Sequence, residues 1–507
     1  MILPRTDTQD VYRVLSQLDE PCYIVRSGER ITATHRPPID AELLAAAGPV
    51  ALGRLAVPGF TQRHQVRYPY MAGSMAGGIS SVDLVLALAR GGHLASFGAA
   101  GLPPARIEDA VRQLSRQLDG KGWAANLIHS PMAPGAERDT VDIYLRHQVR
   151  CIEASAFVQA TPDLVRYRAV GMRPDPHTGV RALNRVIAKV SRTETAEIFL
   201  RPAPADVVAD LEATGQITAE QARWVQQVPL ADDITVEADS AGHTDRRPLL
   251  CALPLLMRLR DQLAPGVGIG AAGGIGTPHA AYAAFALGAS YVVTGSVNQA
   301  CVESGTSPAV RELLATVGTA DCTMAPAGDM FEMGVDVQVL QRGTMFPGRA
   351  SWLYRLYLDH AGVEDLRPRD RERLETQVLR GSVAHTWEAV SAYLAEHQPQ
   401  ELRRAATDPK LRMALLFRWY LGLSSRWATQ GDTTRAADYQ IWCGPAMGAF
   451  NAWTSGTPLA GSRNRRAAEI AHQLLRGAAY HSRISALRLA GVHLPASCSE
   501  YRPQPVH

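Results

Sequence analysis

A chain of 507 residues exceeds what one hydrophobic core usually organises, so two domains, or one large domain with additions, are expected. Apolar residues make up 46% and charged residues 20%, a globular balance that argues against disorder. The net charge of +3, with both signs interspersed, asks for neither nucleic acid nor an anionic membrane as partner.

The N-terminus carries Arg5, Asp7 and Asp10 and shows no apolar signal-peptide core. Residues 1–64 read as an N-terminal extension with a hairpin-like stretch, PCYIVRSGERI. Short apolar runs then recur at 68–72 (YPYMA), 93–97 (HLASF), 123–128 (WAANLI), 150–154 (RCIEA), 186–190 (VIAKV), 234–238 (ITVEA), 267–271 (VGIGA) and 291–294 (YVVT). Helical patterns such as 82–90, 106–118 and 278–287 lie between them, and 205–228 adds a further helical segment. Strand alternating with amphipathic helix marks parallel β/α units. Eight units match the roughly 250 residues of a TIM barrel, so 65–301 is expected to form an α/β domain, a (β/α)8 barrel. A doubly wound open sheet is the alternative, because closure is invisible in sequence.

In such a barrel the site forms at the C-terminal ends of the strands. After the first run comes Met71-Ala72-Gly73-Ser74-Met75-Ala76-Gly77-Gly78, whose small residues admit a flat ligand, with Ser80 expected to cap the next helix. Asn126, ending the third run, offers donor and acceptor to the polar edge of a flavin ring, or serves as a turn residue. Lys189, inside the apolar fifth run, needs a negative partner, either a reduced flavin edge or a neighbouring carboxylate. The sixth run ends in EADSAGHT, where His243 on a small-residue loop is placed to act as a general acid.

The seventh run leads into GIGAAGGIGTP, which contains a GxGxxG string. A dinucleotide fold would need an acidic residue about 20 positions on, and residues 262–302 hold no Asp or Glu. The better reading is a glycine-rich turn opening onto a helix N-terminus, with Pro278 in the first turn and N–H groups aimed at a phosphate. Thr294-Gly295-Ser296 supplies a second such turn, and phosphate binding by the last two loops is frequent in TIM barrels.

Beyond 302 the patterns are helical, with no further run of strands expected. The apolar stretch 413–427 is cut by Arg418 and Arg426, is too short to cross a bilayer, and reads as a buried helix. Seven scattered cysteines lack metal or redox spacing, so reduced thiols in a cytoplasmic protein are expected, with a catalytic thiolate at Cys151 or Cys443 the lesser alternative and no metal site.

From Tyr68 to Gln299, the PYMAG loop, EADSAGH, AAGGIGTP and VVTGS resemble the nitronate monooxygenase (2-nitropropane dioxygenase-like) FMN barrels and the flavin-type enoyl-acyl-carrier-protein reductases. Further on, APAGDMFEMGVDVQVLQRGTMFPGRA, MALLFRWYLGLSSRWA and DYQIWCGPAMGAFNAW are similar to the PfaD-type trans-acting enoyl reductases of polyunsaturated fatty acid synthases and of polyketide synthases lacking built-in acyltransferases. The resemblance implies FMN as cofactor, NADPH or NADH as hydride donor, and a 2-enoyl thioester on an acyl carrier protein as substrate. It places Met71, Ala72, Gly73 and Asn126 at the ring, Lys189 beside it, Gly242 among the cofactor-binding residues, and His243 at the substrate face. Gly273, Gly274, Gly295 and Ser296 fall on the phosphate. Lys189 and His243 are the implied catalytic residues. One departure is Ala241, where a glycine is expected, which a methyl tolerates if φ stays below zero.

The region 302–507 is then expected to be mainly helical, with residues from about 326 to 430 forming a substrate-side lid and Arg342, Arg349 and Arg355 favouring an acidic carrier protein. A homo-oligomer is compatible with this reading. The competing readings are a nitronate monooxygenase using oxygen as acceptor, and a flavin-free scaffold protein of a synthase complex.

Overall fold

The computed structural model describes residues 8–130, 135–177 and 179–503, so Arg5 and Asp7 lie outside the described residues. The chain forms two compact units that do not follow chain order. One holds the residues up to Asp239, Arg246–Gly305 and the C-terminal stretch from Ala449; the other holds Ser240–Asp245 and Thr306–Gly448.

The first unit contains the closed, eight-stranded parallel barrel expected from the sequence. Its strands are Tyr70–Ala72, Leu94–Phe97, Ala124–Ile128, Cys151–Ser155, Arg185–Val190, Asp233–Glu237, Gly268–Ala272 and Tyr291–Thr294, each within two residues of an apolar run. The eighth pairs with the first, Val293 opposite Met71, which closes the barrel and excludes the open sheet. The segment 205–228 forms helices Ala205–Ala213 and Ala219–Val225, and an unexpected hairpin, Met172–Asp175 with Gly179–Ala182, precedes the fifth strand.

Strand alternation sends every second side chain inward. Met71, Leu94, Ala124, Cys151, Ile187, Ala272, Tyr291 and Val293 form one interior cluster. Phe60, from helix Gly59–His64, joins it and stacks on Tyr291 with centroids 4.0 Å apart. The same helix brings in hydrogen-bonding partners for Asp233, a fully buried carboxylate at the start of the sixth strand. Arg63 Nη1 lies 2.5 Å and His64 Nε2 2.7 Å from its two oxygens.

Two glycines of the seventh strand answer to this packing. A Cβ on Gly268 would meet Asp233 Oδ1 at 2.0 Å, and one on Gly270 would meet the Tyr291 ring at 2.3 Å. The first half of the GxGxxG string therefore serves the barrel interior, not a ligand.

The N-terminal hairpin Cys22–Ser27 and Arg30–Thr34 gains a third strand, Glu42–Ala47. This sheet shares one core with helix Thr8–Ser16 and the C-terminal helix Ala467–Leu489 through Leu15, Ile24, Ile31, Tyr480 and Leu487. Buried Arg483 donates to the carbonyls of Leu15, Gln17, Leu18, Glu20 and Gly48, joining the two ends of the chain.

The second unit adds a small sheet to the mainly helical region expected beyond 302. Cys322–Pro326 and Asp336–Leu340 pair antiparallel, and Gly242–His243 adds a third, two-residue strand. Its helices, among them Phe346–Asp359, Val383–His397 and Pro409–Gln430, bury Trp352, Leu353, Leu394, Phe417 and Tyr420 together. The stretch 413–427 lies within the last of these as a buried helix. No described helix is long and apolar enough to cross a membrane.

Replacing Asp233 with Ala leaves Arg63 without its buried counter-charge and His64 without its hydrogen-bond partner. Loss of one partner of a buried ion pair costs about 3–5 kcal/mol, so chemical denaturation of Asp233→Ala should show that loss. A change below about 1 kcal/mol, the scale of an exposed pair, would show that the interior tolerates the gap.

Candidate functional site

The loop after the first barrel strand is held rather than flexible. Gly73 N donates to Thr294 O (3.1 Å), Ser74 N to Glu153 Oε2 (2.8 Å) and Met75 N to Ser80 Oγ (2.9 Å). Ser80 Oγ in turn donates to Gly73 O at 3.0 Å. Ser80 thus ties the loop to itself, and the helix cap expected of it belongs to Ser81, whose side chain accepts from Leu84 N. A Cβ on Gly73 would stand 3.1 Å from Val293 Cγ1 and 3.5 Å from Glu153 Oε1, so glycine keeps this backbone against the barrel rim. Met71 and Ala72 are fully buried, and the Met71 side chain belongs to the interior cluster.

The seventh strand ends in two glycines that need left-handed backbone, Gly273 at φ +93° and Gly274 at φ +71°. A Cβ on Gly273 would also lie 2.7 Å from Asp239 O. The turn leads into helix Pro278–Ala286, with Thr277 accepting from Ala280 N as its cap and Pro278 in its first turn. That helix start, at the positive end of the dipole, suits an anion. Ala272 pairs with Val293, which sets Gly295 and Ser296, at the start of helix Ser296–Gln299, on the adjacent strand end. Gly295 sits at φ −125°, so its own conformation does not demand glycine. The last two loops are therefore neighbours.

Lys189, at an inward position of the fifth strand, lies with Nζ 3.1 Å from Glu237 Oε1. Burial opposes its charge, but the carboxylates of Glu237 and Glu153 outweigh that and hold its pKa above the usual lysine value. The neighbouring-carboxylate alternative for Lys189 is thus realised. Asn126 is buried and donates through Nδ2 to Glu153 O and Ser155 Oγ, both at 3.1 Å.

Sequence reasoning missed Glu153. It is fully buried, and its Oε1 has no hydrogen-bond partner among the described residues. The signal for it was a carboxylate at the fourth position of the run RCIEA, repeated by Glu237 at the fourth position of ITVEA.

His243 belongs to the second unit, on the two-residue strand opposite Val337. It is half-exposed, and its Nε2 lies 3.1 Å from Asp329 Oδ1. Burial pushes the Asp329 pKa up, but the hydrogen bond and charge of His243 pull it below the ordinary aspartate value. This carboxylate fixes the ring's orientation and was not anticipated; its signal is the single acidic residue in APAGDM. Gly242, at φ +79°, requires its glycine. Ala241 is not among the residues with positive φ, so its methyl causes no strain.

The remaining assignments divide. Burial pushes the Cys151 thiol up to about 12, and Cys443 is likewise raised, first by a hydrogen bond with Cys322 and then by burial. Neither is poised as a thiolate. Of the three arginines expected to meet a carrier protein, Arg349 is instead buried, with its guanidinium on Asp438 beside Tyr420 and Arg435. It lies on the inward face of Phe346–Asp359 with Trp352, Leu353 and Leu356. Arg355 is exposed, and Arg342 pairs with Asp321 at 3.3 Å.

Residues 58–330 match the model of the nitronate monooxygenase family, and 360–439 match that of the inserted helical domain of [acyl-carrier-protein] S-malonyltransferase. A polyunsaturated fatty acid synthase component of Thraustochytrium sp. is 43% identical over 94% of this chain and 32% of the relative. The polyketide biosynthesis protein PksE of Bacillus subtilis is 40% identical over 92% of this chain and 60% of the relative. The chain therefore spans a third to three fifths of the length of these two curated relatives. The crystal structure of the enoyl reductase domain of MlnA, from the macrolactin cluster of Bacillus amyloliquefaciens, superposes with a TM-score of 0.81 at 37% identity, over 87% of this chain and 99% of that one. With a closed barrel inside the matched span and a likeness running well past it, the chain belongs to the nitronate monooxygenase superfamily, in its group of PfaD-type enoyl reductases.

Proposed function

We propose that this chain is a trans-acting, FMN-dependent enoyl reductase that reduces 2-enoyl thioesters on an acyl carrier protein with NADPH or NADH, in polyketide or polyunsaturated fatty acid biosynthesis. The observation that carries the proposal is the 87% of the chain shared with a solved enoyl reductase domain, far more than a barrel alone would give. The match of 360–439 to a helical insert of an acyl-carrier-protein transacylase supports a carrier-tethered substrate. A cytoplasmic setting belongs to the same proposal and is supported by seven free thiols.

The residues present fit FMN. Two left-handed glycines before a helix N-terminus, beside the Gly295–Ser296 turn, have the donor chemistry a phosphate needs. Gly73 keeps backbone close to the barrel rim for a flat ring, and Asn126 and Lys189 are the polar groups nearest that rim on the third and fifth strands. Bound there, FMN would relay a hydride from the nicotinamide donor to the β-carbon of the enoyl thioester.

The chain's own part is orientation and proton placement. His243, held by Asp329, donates a proton at the substrate α-carbon. With Asp329 accepting from one ring nitrogen when the imidazole is charged, the other nitrogen is free to donate. Residues from about 326 to 430 are proposed as the element that recognises the tethered substrate, with Arg355 among its exposed cations.

Three outcomes test this reading. The protein purifies yellow with noncovalent FMN, and Gly274→Asp, which puts a carboxylate against a dianionic phosphate, loses it. Gly274→Ala, strained by about 1 kcal/mol at positive φ, keeps most of it. Normal flavin content in the Asp variant would remove the loop from the phosphate site.

His243→Ala keeps FMN but loses enoyl reduction by on the order of 10²–10⁴-fold, the usual contribution of a general acid. Flavin reoxidation by crotonyl thioesters is the readout. Reoxidation by oxygen with alkyl nitronates as the faster route would instead favour a nitronate monooxygenase.

Carrier-bound thioesters are reduced more efficiently than small-molecule thioesters of the same acyl group, and the advantage falls with salt and in Arg355→Glu. Equal efficiency that is insensitive to salt would remove the carrier-docking role.

A further inference from the structure

The upper interior of the barrel holds more negative than positive charge. Lys189 contributes one ammonium, while Glu237, 3.1 Å away, and Glu153 contribute two carboxylates. Glu153 is fully buried in mid-strand, where an unmet carboxylate is costly, yet only one of its oxygens is satisfied, by Ser74 N at 2.8 Å. The other points beside Gly73, in the loop assigned to the flavin ring. A purely structural role would be served as well by a neutral Gln, which also accepts from Ser74 N and does not bury an excess charge.

Resting on the FMN assignment, we propose that Glu153 and Glu237 are positioning residues that set the electrostatics of the flavin site. Together they over-balance Lys189 and keep the bound cofactor a strong hydride donor. Reduction adds electron density to the flavin, and nearby negative charge in a water-poor interior disfavours that state. Lys189 by itself would do the opposite and hold electrons on the ring. The pair of carboxylates therefore biases the site toward passing hydride to an enoyl thioester, which is a demanding acceptor. Glu153 does this while also pinning Ser74, so one side chain couples the shape of the first-strand loop to the charge beneath it.

The test uses the full-length holoprotein and reads the flavin rather than turnover. The midpoint potential of bound FMN is measured by equilibration with reference dyes, and sulfite affinity for the oxidised flavin is titrated. Glu153→Gln and Glu237→Gln should both shift the potential positive and tighten sulfite binding, on the order of tenfold for one charge removed at short range. Lys189→Met should move both readouts the other way. A merely structural role would alter FMN content or stability without opposite shifts for opposite charges. If Glu153→Gln does not fold, Glu237→Gln, at a partly exposed rim position, decides the matter. FMN bound normally with an unmoved potential in the Gln variants overturns this inference alone. A wild-type protein that takes up no FMN overturns the cofactor assignment and this inference with it.

Discussion

A charge inside the barrel is costly unless a partner lies beside it, and much of the first unit is arranged around that cost. At the entry end Asp233 is answered by Arg63 and His64, delivered by a short helix outside the barrel. At the exit end Lys189 is answered by Glu237 and Glu153. Between the two ends lies an apolar and aromatic layer of Ile187, Tyr291 and Phe60. An isolated buried charge would cost several kcal/mol, so these partners are constraints on the fold as much as features of a site. The glycines at 268 and 270 follow from them, because Asp233 and the Tyr291 ring occupy the space their side chains would need.

The two ends differ in kind. The entry cluster is closed, with both oxygens of Asp233 engaged. The exit cluster is open: one carboxylate oxygen of Glu153 has no partner among the described residues, and the surrounding loops are built from glycines in left-handed conformation. A buried carboxylate oxygen left unmet beside glycine-built loops is a place where a ligand can supply the missing partner. This is the physical reason to look for chemistry at the C-terminal ends of the strands here.

The second unit repeats the logic on a smaller scale. A two-residue strand fixes Gly242 and His243 against Asp336–Leu340, and Asp329 orients the imidazole. Asp438 gathers Arg349, Arg380 and Arg435 in a buried hub, which accounts for arginines that look like surface cations in the sequence. Position on a helix face, not residue type, separates Arg349 from exposed Arg355.

The sequence alone determined the eight barrel strands, because short apolar runs separated by amphipathic helices admit few other arrangements, and it located the glycine turns at 273–274 and 295, since such strings follow a strand for few other reasons. Lys189 and His243 stood out as polar residues in apolar or small-residue surroundings. Tertiary structure alone decided barrel closure, which depends on the eighth strand meeting the first across more than 200 residues of chain. It also decided the partners: Glu153 and Glu237 for Lys189, Asp329 for His243, Asp438 for Arg349. The strands at 322–326 and 336–340 escaped notice because their third strand comes from residues 242–243, some 80 positions earlier. Local patterning is written in neighbouring residues, whereas charge neutralisation and strand pairing are contracts between distant ones, visible only once the chain has folded.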